Sequence, residues 1–283
     1  RAFAPDSSGG RVMKTKANTK LLVFRAGRWE SGTRAVPEEV AVALVYNGTT
    51  QAVMMATPAD LEDFATGFSL TEQIIADISE IQETETIPQP NGIELRIWLT
   101  DTAEERFSAR RRAQIGPVGC GLCGIDSLTE AMRALPSVPA GAPLSASNMS
   151  DAMQGLVRHQ TLNDATRAVH AAGFYVPGEG VTLAREDVGR HNALDKLAGA
   201  LARSGTEAAT GAIVLTSRVS VDMIQKAAII GAPVLIAASA PTALAIREAD
   251  AVGLTLVAVA RGADFEVFTH PERFAAGNAA DVA

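Results

Sequence analysis

Residues 211–240 read GAIVLTSRVSVDMIQKAAIIGAPVLIAASA, and this stretch decides the fold of the second half of the chain. Its runs GAIVLTSRVS and PVLIAASA have the apolar character of buried strands, and VDMIQKAAIIGA between them reads as a helix. Short apolar strands that alternate with helices are typical of a sheet covered by helices on both faces. We therefore predict an α/β fold here.

The same alternation extends in both directions from this stretch. Upstream, DVGRHNALDKLAGALARSG predicts a helix that ends at Gly205, and the strand pair before it turns at Pro177-Gly178. Downstream, PTALAIREADAVG predicts a helix and LTLVAVARG a third buried strand. These elements, with a helix expected over about residues 150–160, predict a three-layer α/β domain at 150–283.

The first half of the chain predicts a smaller α+β domain over residues 21–114. Asn47-Gly48 favours a two-residue hairpin turn, because this dipeptide tolerates positive φ. An amphipathic helix is predicted after Pro58, and two more strands follow it. The runs with strand character before that helix are 21–25, 40–46 and 51–56.

Two further segments complete the predicted organisation. Residues 1–20 are polar and basic, and we expect a flexible tail there. Residues 115–149 hold a glycine-rich loop with two cysteines, then a helix and a proline-rich linker. The two predicted domains therefore flank a cysteine-bearing connection.

Charge and composition exclude several classes of function. The chain has 283 residues, 47% of them hydrophobic and 20% charged, which is typical of a folded globular protein. Its net charge of -7 argues against general nucleic-acid binding, which needs an excess of Lys and Arg. No apolar run is long enough for a membrane span, and the first segment lacks the apolar core of a signal peptide. We expect a cytoplasmic protein that binds neither nucleic acid nor membrane.

The stretch IGPVGCGLCGIDSLTEAM, residues 115–132, holds the two cysteines of the chain, Cys120 and Cys123. Four interpretations compete: a structural disulfide, half of a zinc site, a thioredoxin-type redox pair, and a thiolate that accepts and passes on sulfur or an acyl group. A cytoplasmic location disfavours the disulfide, and the sequence offers no second cysteine pair for zinc. We favour the thiolate, because the arginines at 110–112 would lower its pKa if the fold brings them close.

Polar residues at the ends of the buried strands predict a ligand site. In such sheets ligands bind where strands end and the following helices begin. Arg218 is the strongest candidate, since a guanidinium at a strand end can bind a phosphate through two hydrogen bonds. The predicted lining residues are Thr216, Ser217, Arg218, Ser220, Ser239, Thr242, Arg261, Gly262, Ala263 and Asp264.

The stretch REDVGRHNALDK, residues 185–196, concentrates charged and polar groups. One explanation is a capped, charged helix start. The other is an anion site, in which Gly189 allows close backbone approach and Arg190 holds a pyrophosphate together with the first-turn amides. We favour the anion site, with Asp187 either orienting His191 or binding guanine N–H groups.

Three other polar residues are ambiguous. His170 stands at a predicted strand start, where a core position is as compatible with the sequence as a site position. Asp222 and Lys226 are spaced i, i+4 on one predicted helix, as a surface ion pair or a pair of ligands would be. None of the three identifies a site alone.

Four motifs follow one another along the chain: GCGLCG at 119–124, REDVGRHNALDKLAG at 185–199, TSRVSVDMIQKAAIIGAPVLIAASAPTALAI at 216–246 and FTHPERF at 268–274. In this order they resemble the FdhD family, the formate dehydrogenase accessory sulfurtransferases. The resemblance extends over roughly residues 35–274. A Cys-x-x-Cys alone is a weak signal, whereas four long motifs in the family's order are a specific one.

The resemblance implies a mechanism. A cysteine desulfurase of the IscS type would load sulfur onto Cys120 as a persulfide, and Cys123 would assist. The acceptor would be the molybdenum cofactor in its bis(molybdopterin guanine dinucleotide) form, and its sulfuration would make formate dehydrogenase active. The resemblance also likens the second domain to the cytidine deaminase fold. It places cofactor binding at Val259, Ala260, Arg261, Gly262, Ala263 and Asp264.

Two hypotheses follow from the sequence. In the first, the chain is a sulfur carrier and sulfurtransferase that binds the cofactor as an acceptor. In the second, it is a non-catalytic chaperone that binds guanine nucleotide or cofactor and whose cysteines are structural. His191 is followed by Asn192 and Ala193 and not by the His-x-Glu pattern of zinc deaminases, and no proline directly precedes Cys120, so we expect no deaminase chemistry. We also expect no permanently bound metal. A homodimer is compatible with either hypothesis, but the sequence does not determine the oligomeric state.

Overall fold

A computed structural model of the chain describes residues 13–114, 134–141 and 143–274. The strands of these residues are β1 (Lys16–Arg25), β2 (Arg28–Pro37), β3 (Val40–Tyr46), β4 (Thr49–Ala56), β5 (Ile81–Gln89), β6 (Gly92–Leu99), β7 (His170–Val176), β8 (Gly180–Asp187), β9 (Ala212–Leu215), β10 (Val234–Ala237), β11 (Thr255–Arg261) and β12 (Asp264–Val267). The helices are α1 (Leu61–Thr71), α2 (Asp101–Gln114), α3 (Ala146–Arg158), α4 (Thr161–Thr166), α5 (Arg190–Ser204), α6 (Val221–Ile230) and α7 (Ala243–Val252).

The second half of the chain forms a six-stranded sheet in the order β12-β11-β10-β9-β7-β8. Strands β9, β10 and β11 run parallel, and β7, β8 and β12 pair antiparallel with their neighbours. Side chains along β9 alternate between the two faces: Ile213 and Leu215 pack with α5, α6 and α7, whereas Ala212 and Val214 pack with α3. Both faces are therefore covered, and the predicted mixed α/β architecture is confirmed.

Local sequence signals fix several element ends in this half. Gly205, Gly231 and Gly253 end α5, α6 and α7 in the left-handed conformation, which a residue without Cβ adopts most readily. Helix α3 begins at Ala146, four residues before the start expected at 150, because Ser145 and Asn148 form a capping box.

The first half of the chain forms a four-stranded sheet in the order β4-β3-β6-β5. Alternate residues of β3, among them Val42 and Leu44, pack with α1 residues such as Phe64 on the inner face of this sheet. Asn47 and Gly48 both have positive φ in the β3–β4 turn, as the dipeptide predicted. Helix α2 packs on the same inner face, where the Phe107 ring lies 5.3 Å from that of Tyr46.

Strands β1 and β2 form a separate hairpin with ten residues in each strand. Residues 16–20, which we expected to belong to a flexible tail, form the first half of β1. Strand β2 was not predicted, because RWESGTRAVP has no regular apolar alternation. Pairing with β1 therefore holds residues 28–37 in a strand that their own sequence pattern does not predict.

Helices α1 and α5 join the four-stranded sheet to the six-stranded sheet. They cross where Gly67 meets Gly199, so closely that a Cβ atom at either position would overlap the backbone of the other helix. A helix crossing at this distance requires residues without side chains. The two sheets are therefore held together through direct backbone packing of the helices between them.

Candidate anion-binding site

Four strands end at one edge of the six-stranded sheet, which we call the carboxyl edge. Strands β8, β9, β10 and β11 all point their carboxyl ends there, and α5, α6 and α7 begin there. Two loops at this edge bind each other: the Val219 amide donates to the Ala240 carbonyl over 3.4 Å, and the Thr242 amide donates to the Val219 carbonyl over 2.9 Å. The predicted residues at this edge are Arg190, His191, Ser217, Arg218, Ser239, Val259, Arg261 and Gly262.

Asp187 ends β8 and is fully buried. Its carboxylate accepts hydrogen bonds from the Lys196 ammonium at 2.6 Å, the Thr57 amide at 2.9 Å, the Gly189 amide at 2.8 Å and the Asn192 side chain at 3.0 Å. A buried carboxylate with this many donors is stabilised as an ion. We expected Asp187 to orient His191 or bind guanine, but its oxygens instead fix the turn from β8 into α5.

Arg190 and His191 occupy the first turn of α5, whose N-cap Gly189 provides no side-chain cap. The Arg190 Nε and His191 Nε2 atoms are buried and have no hydrogen-bond partner within the described residues. His191 Nε2 lies 3.4 Å from an Asp222 carboxylate oxygen, in a geometry that does not form a hydrogen bond. These orphaned donors, together with the free amides of the helix start, form a local environment suited to an anion.

Two histidines beside this turn are kept neutral. Burial lowers the pKa of His191 below its ordinary value, and the nearby Arg190 charge lowers it further. Burial and the Arg190 charge also lower the pKa of His170, at the start of β7. Arg190 is therefore the fixed positive charge here, while both imidazoles can accept or donate a hydrogen bond near neutral pH.

The loops after β9 and β10 contribute differently to the carboxyl edge. Arg218 is exposed, so its guanidinium is accessible to a ligand. Ser217 is buried, and its hydroxyl donates to the Arg218 carbonyl over 3.0 Å. Thr216 accepts from the Ala171 amide at 2.9 Å, and Ser239 is half-buried. Arg218 and Thr242 are therefore the exposed residues among the predicted polar groups of these two loops.

The stretch from Val259 to Asp264 has an irregular backbone. Val259 has a φ of 53°, an outlier for a β-branched residue, and the pairing of β11 with β12 shifts register between Ala258 and Arg261. Ala260 is buried in the core, so only its backbone is available to a ligand. Residues 261–264 are exposed. Strained backbone of this kind is concentrated at functional sites.

The two ends of the carboxyl edge are far apart. Strands β7, β9 and β10 separate β8, which precedes Arg190, from β11, which carries Val259. At about 4.8 Å for each of four strand-to-strand steps, the carboxyl ends of β8 and β11 are roughly 19 Å apart. A ligand that touches both must therefore be long.

Lys226 and Asp222 do not form the surface pair that their spacing suggested. Lys226 is buried, and its ammonium donates to Asp195 at 2.8 Å, to Glu72 at 2.7 Å and to Thr71 at 3.0 Å. Burial opposes the charge of Lys226, but the two carboxylates outweigh burial and raise its pKa. Burial raises the pKa of Asp195. This buried network joins α6 and α5 to the end of α1.

Other polar residues of the REDVGRHNALDK stretch also have structural roles that the sequence did not reveal. Arg185 donates to the buried Asp63 of α1 over 2.7 Å. Glu186 accepts from the Leu162 and Asn163 amides at the start of α4, each over 2.8 Å. These partners lie more than twenty residues away in sequence, so local spacing could not identify them.

Cys120 and Cys123 lie outside the described residues, as does the helix predicted to follow them. Within the described ranges no three His, Cys, Asp or Glu side chains are grouped to hold a metal ion. In the same ranges, no helix has both the length and the apolar character needed to cross a membrane.

A family model described as the FdhD/NarQ family matches residues 37–275. The chain belongs to the FdhD/NarQ family. This assignment agrees with the resemblance seen in the four motifs, and the matched range of the FdhD/NarQ model includes the whole carboxyl edge. The β1–β2 hairpin ends at Pro37, where the match begins.

Relatives of this FdhD/NarQ chain cover most of its length. A protein named sulfur carrier protein FdhD from Agrobacterium fabrum is 55% identical, over 88% of this chain and 93% of the relative. A protein of the same name from Brucella abortus is 53% identical, over 91% of this chain and 96% of the relative. A crystal structure assigned as a formate dehydrogenase accessory protein from Desulfotalea psychrophila matches with a TM-score of 0.74 and 25% identity, over 93% of this chain and 100% of that chain.

Proposed function

We propose that the chain is a sulfur carrier and sulfurtransferase that serves formate dehydrogenase. The observation that carries this proposal is its family membership, with relatives named sulfur carrier protein that are more than half identical over nearly their whole length. Cys120 accepts sulfur as a persulfide from a cysteine desulfurase of the IscS type, and Cys123 assists. The cytoplasm suits this chemistry, because thiols stay reduced there.

Loading of Cys120 needs only an exchange of one sulfur–sulfur bond for another. The Cys120 thiolate attacks the terminal sulfur of the desulfurase persulfide, the sulfur–sulfur bond of the donor breaks, and the donor cysteine leaves as a thiolate. No external oxidant or reductant is required in this step. Since the thiolate is the nucleophile, loading should be faster at a pH where more of Cys120 is deprotonated.

The proposed acceptor is bis(molybdopterin guanine dinucleotide) with its molybdenum, bound as a substrate. Its pyrophosphate groups suit Arg190 and the first amides of α5, and Arg218 offers a further guanidinium, which is exposed. A cofactor with two dinucleotide arms also has the length to follow an edge on which the ends of β8 and β11 are about 19 Å apart. Ser239 and the exposed residues Arg261 to Asp264 complete the proposed contacts, with backbone groups of Val259 and Ala260.

The proposal extends to the organisation of the chain. We assign residues 16–114 to a small α+β domain, 115–145 to a cysteine-bearing connection and 146–283 to a domain that resembles the cytidine deaminase fold. Its six-stranded sheet with helices on both faces is consistent with this likeness. Deaminase chemistry is not part of the proposal, because the sequence has no Pro-Cys-x-x-Cys motif to supply the zinc-binding cysteines.

A direct test is incubation of the protein with a cysteine desulfurase and cysteine, followed by mass spectrometry of the peptide that contains Cys120. We expect a gain of one sulfur atom in the native chain and in Cys123→Ala, and none in Cys120→Ala. Binding of GDP to Cys120→Ala, measured by calorimetry, should equal that of the native protein. Retention of formate dehydrogenase maturation by the double cysteine variant would instead support the alternative, a cofactor-binding chaperone with structural cysteines.

A further inference from the structure

The β1–β2 hairpin is positively charged, although the protein as a whole is negatively charged. Glu30 is the single acidic residue of its two strands, whereas the whole chain has a net charge of -7. Such an uneven distribution of charge is typical of a segment that binds a polyanionic partner. The basic residues of the hairpin are Lys16, Lys20, Arg25, Arg28 and Arg34.

One end of the hairpin is anchored to the rest of the protein. Arg34 donates to the Thr166 carbonyl of α4 over 3.2 Å, and the Glu38 amide donates to the Thr15 carbonyl over 2.8 Å. The turn at the other end consists of residues 26–27, which both have positive φ. The turn is therefore the part of the hairpin that lies farthest from these anchors along the strands.

One face of this hairpin is apolar and exposed near the turn. Leu22, Phe24 and Trp29 are 68%, 58% and 70% exposed, and the Phe24 and Trp29 rings lie 5.1 Å apart. Because Phe24 pairs with Trp29 in the hairpin register, these side chains share one face. Lys16 and Lys20 follow the same alternation and lie on it too. We call these five residues the free hairpin face.

Basic residues lie on both sides of the apolar centre of this face. Lys16 and Lys20 lie towards the anchored end, and Arg25 and Arg28, which pair with each other, lie next to the turn. Arg34 alternates onto the opposite face, where it contacts α4, so the free hairpin face points away from that helix. Apolar and aromatic side chains flanked by long basic ones are typical of segments that bind the interface of an anionic bilayer.

The size of the free hairpin face favours a membrane over a protein partner. A hairpin of ten residues per strand is about 33 Å long and about 10 Å wide, so one face presents roughly 330 Å². A protein bound to this face would bury about 660 Å² on the two partners together, whereas stable protein interfaces bury at least about 1,200 Å². A bilayer needs no complementary shape, because apolar side chains enter its headgroup region and basic ones bind lipid phosphates.

We propose that the free hairpin face binds the surface of an anionic membrane. Leu22, Phe24 and Trp29 enter the headgroup region, and the basic groups beside them bind the phosphates of acidic lipids. We expected no membrane binding, because the chain has a negative net charge and no long apolar run. Binding at a membrane surface is compatible with both properties, since it needs only a local basic and apolar patch. This role goes beyond sulfur transfer and does not depend on it.

Sedimentation of the native chain with lipid vesicles tests the proposal. The protein should bind vesicles with about 30% phosphatidylglycerol at least about 100-fold more tightly than vesicles of phosphatidylcholine alone, because each basic residue near an anionic surface contributes about fivefold. Raising the salt from about 0.05 M to about 0.5 M should release the protein, because salt screens these contacts.

Tryptophan fluorescence shows whether the hairpin itself enters the membrane. The chain has two tryptophans, Trp29 in the hairpin and Trp98 in β6, so Trp98→Phe leaves Trp29 as the single indole. Its emission should shift to shorter wavelength on anionic vesicles and be quenched by lipids with brominated acyl chains. In the matched variant Trp29→Phe, the emission of Trp98 should stay unchanged when the same vesicles are added.

Matched variants separate the hairpin from general effects of charge and hydrophobicity. Lys16→Glu with Lys20→Glu should weaken vesicle binding at least about 100-fold, and Trp29→Ser at least about tenfold. Arg158→Glu with Arg247→Glu makes the same change in net charge at exposed positions on α3 and α7, and should change binding by less than about threefold. Val157→Ser, at an exposed apolar position on α3, should leave binding unchanged.

Several outcomes would overturn the proposal. They are a native protein that does not bind anionic vesicles, equal binding to both kinds of vesicle, an unshifted Trp29 emission, and full binding by the Lys16→Glu/Lys20→Glu variant. A native protein that binds single-stranded RNA but no vesicle, and loses the RNA in that variant, would also overturn it and assign the hairpin to nucleic acid instead.

Discussion

Replacement of Lys196 by methionine tests whether buried charge holds the two sheets together. Lys196 is fully buried between α5 and the loop after β4, where its ammonium binds Asp187 at 2.6 Å and the Thr57 carbonyl at 2.9 Å. Lys196→Met keeps most of the side-chain volume but leaves the Asp187 carboxylate without its counter-ion. Removal of one partner from such a buried pair costs about 3–5 kcal/mol in the free energy of unfolding.

The assay is equilibrium unfolding in urea. With a slope of about 3 kcal/mol per molar urea, the expected loss lowers the unfolding midpoint by roughly 1–2 M. The control is Arg96→Met, which breaks a partly exposed ion pair to Glu94 and should cost about 1 kcal/mol or less. Asp187→Asn combined with Lys196→Met should recover much of the loss, because no buried charge remains. Equal midpoint shifts for Lys196→Met and Arg96→Met would refute the reasoning, as would a double variant no more stable than Lys196→Met.

Three further predictions concern the helix crossing and the site. Gly67→Ala should lower the unfolding midpoint by an amount equivalent to at least about 2 kcal/mol, because its Cβ overlaps the α5 backbone, whereas Gly32→Ala in the hairpin should have little effect. Arg190→Gln should weaken GDP binding, measured by calorimetry, about tenfold without lowering the thermal midpoint; unchanged affinity would remove Arg190 from the site. The lowered pKa of His191 means that the unfolded chain binds its proton first, so stability is fully present above about pH 6.5 and is lost as the pH falls towards the folded-state pKa. His191→Gln should reduce that loss in thermal melts between pH 7 and about pH 5.5, and an identical pH profile would contradict the assignment.

Much of the fold could be predicted because it depends on local chemistry. The positive φ at Asn47 is favoured by its own dipeptide, and the end of α5 by Gly205. The buried runs of β9 and β10 are recognisable because a strand covered on both faces has no polar alternation. Strand β2 was missed, because its partner, rather than its own pattern, determines its conformation.

The candidate site was predictable in position but not in the role of each residue. The rule that ligands bind at strand carboxyl ends selected Arg218, and the glycine before a charged helix start selected Arg190. The structure places both at one edge of the sheet. Asp187 was misjudged because its donors include Thr57, 130 residues away, and Lys226 because its partner Glu72 is 154 residues away. A polar residue next to a predicted site can form its hydrogen bonds with residues that are far away in sequence. Only the tertiary structure reveals such partners.

The crossing of α1 and α5 restricts how this protein can change shape. With glycine packed on glycine and Lys196, Asp195 and Lys226 sealed between the sheets, neither sheet can swing away from the other without exposing unpaired ions. Hinge opening at this crossing would therefore be rare. The carboxyl edge, where we propose that the acceptor binds, therefore keeps a fixed position relative to the four-stranded sheet.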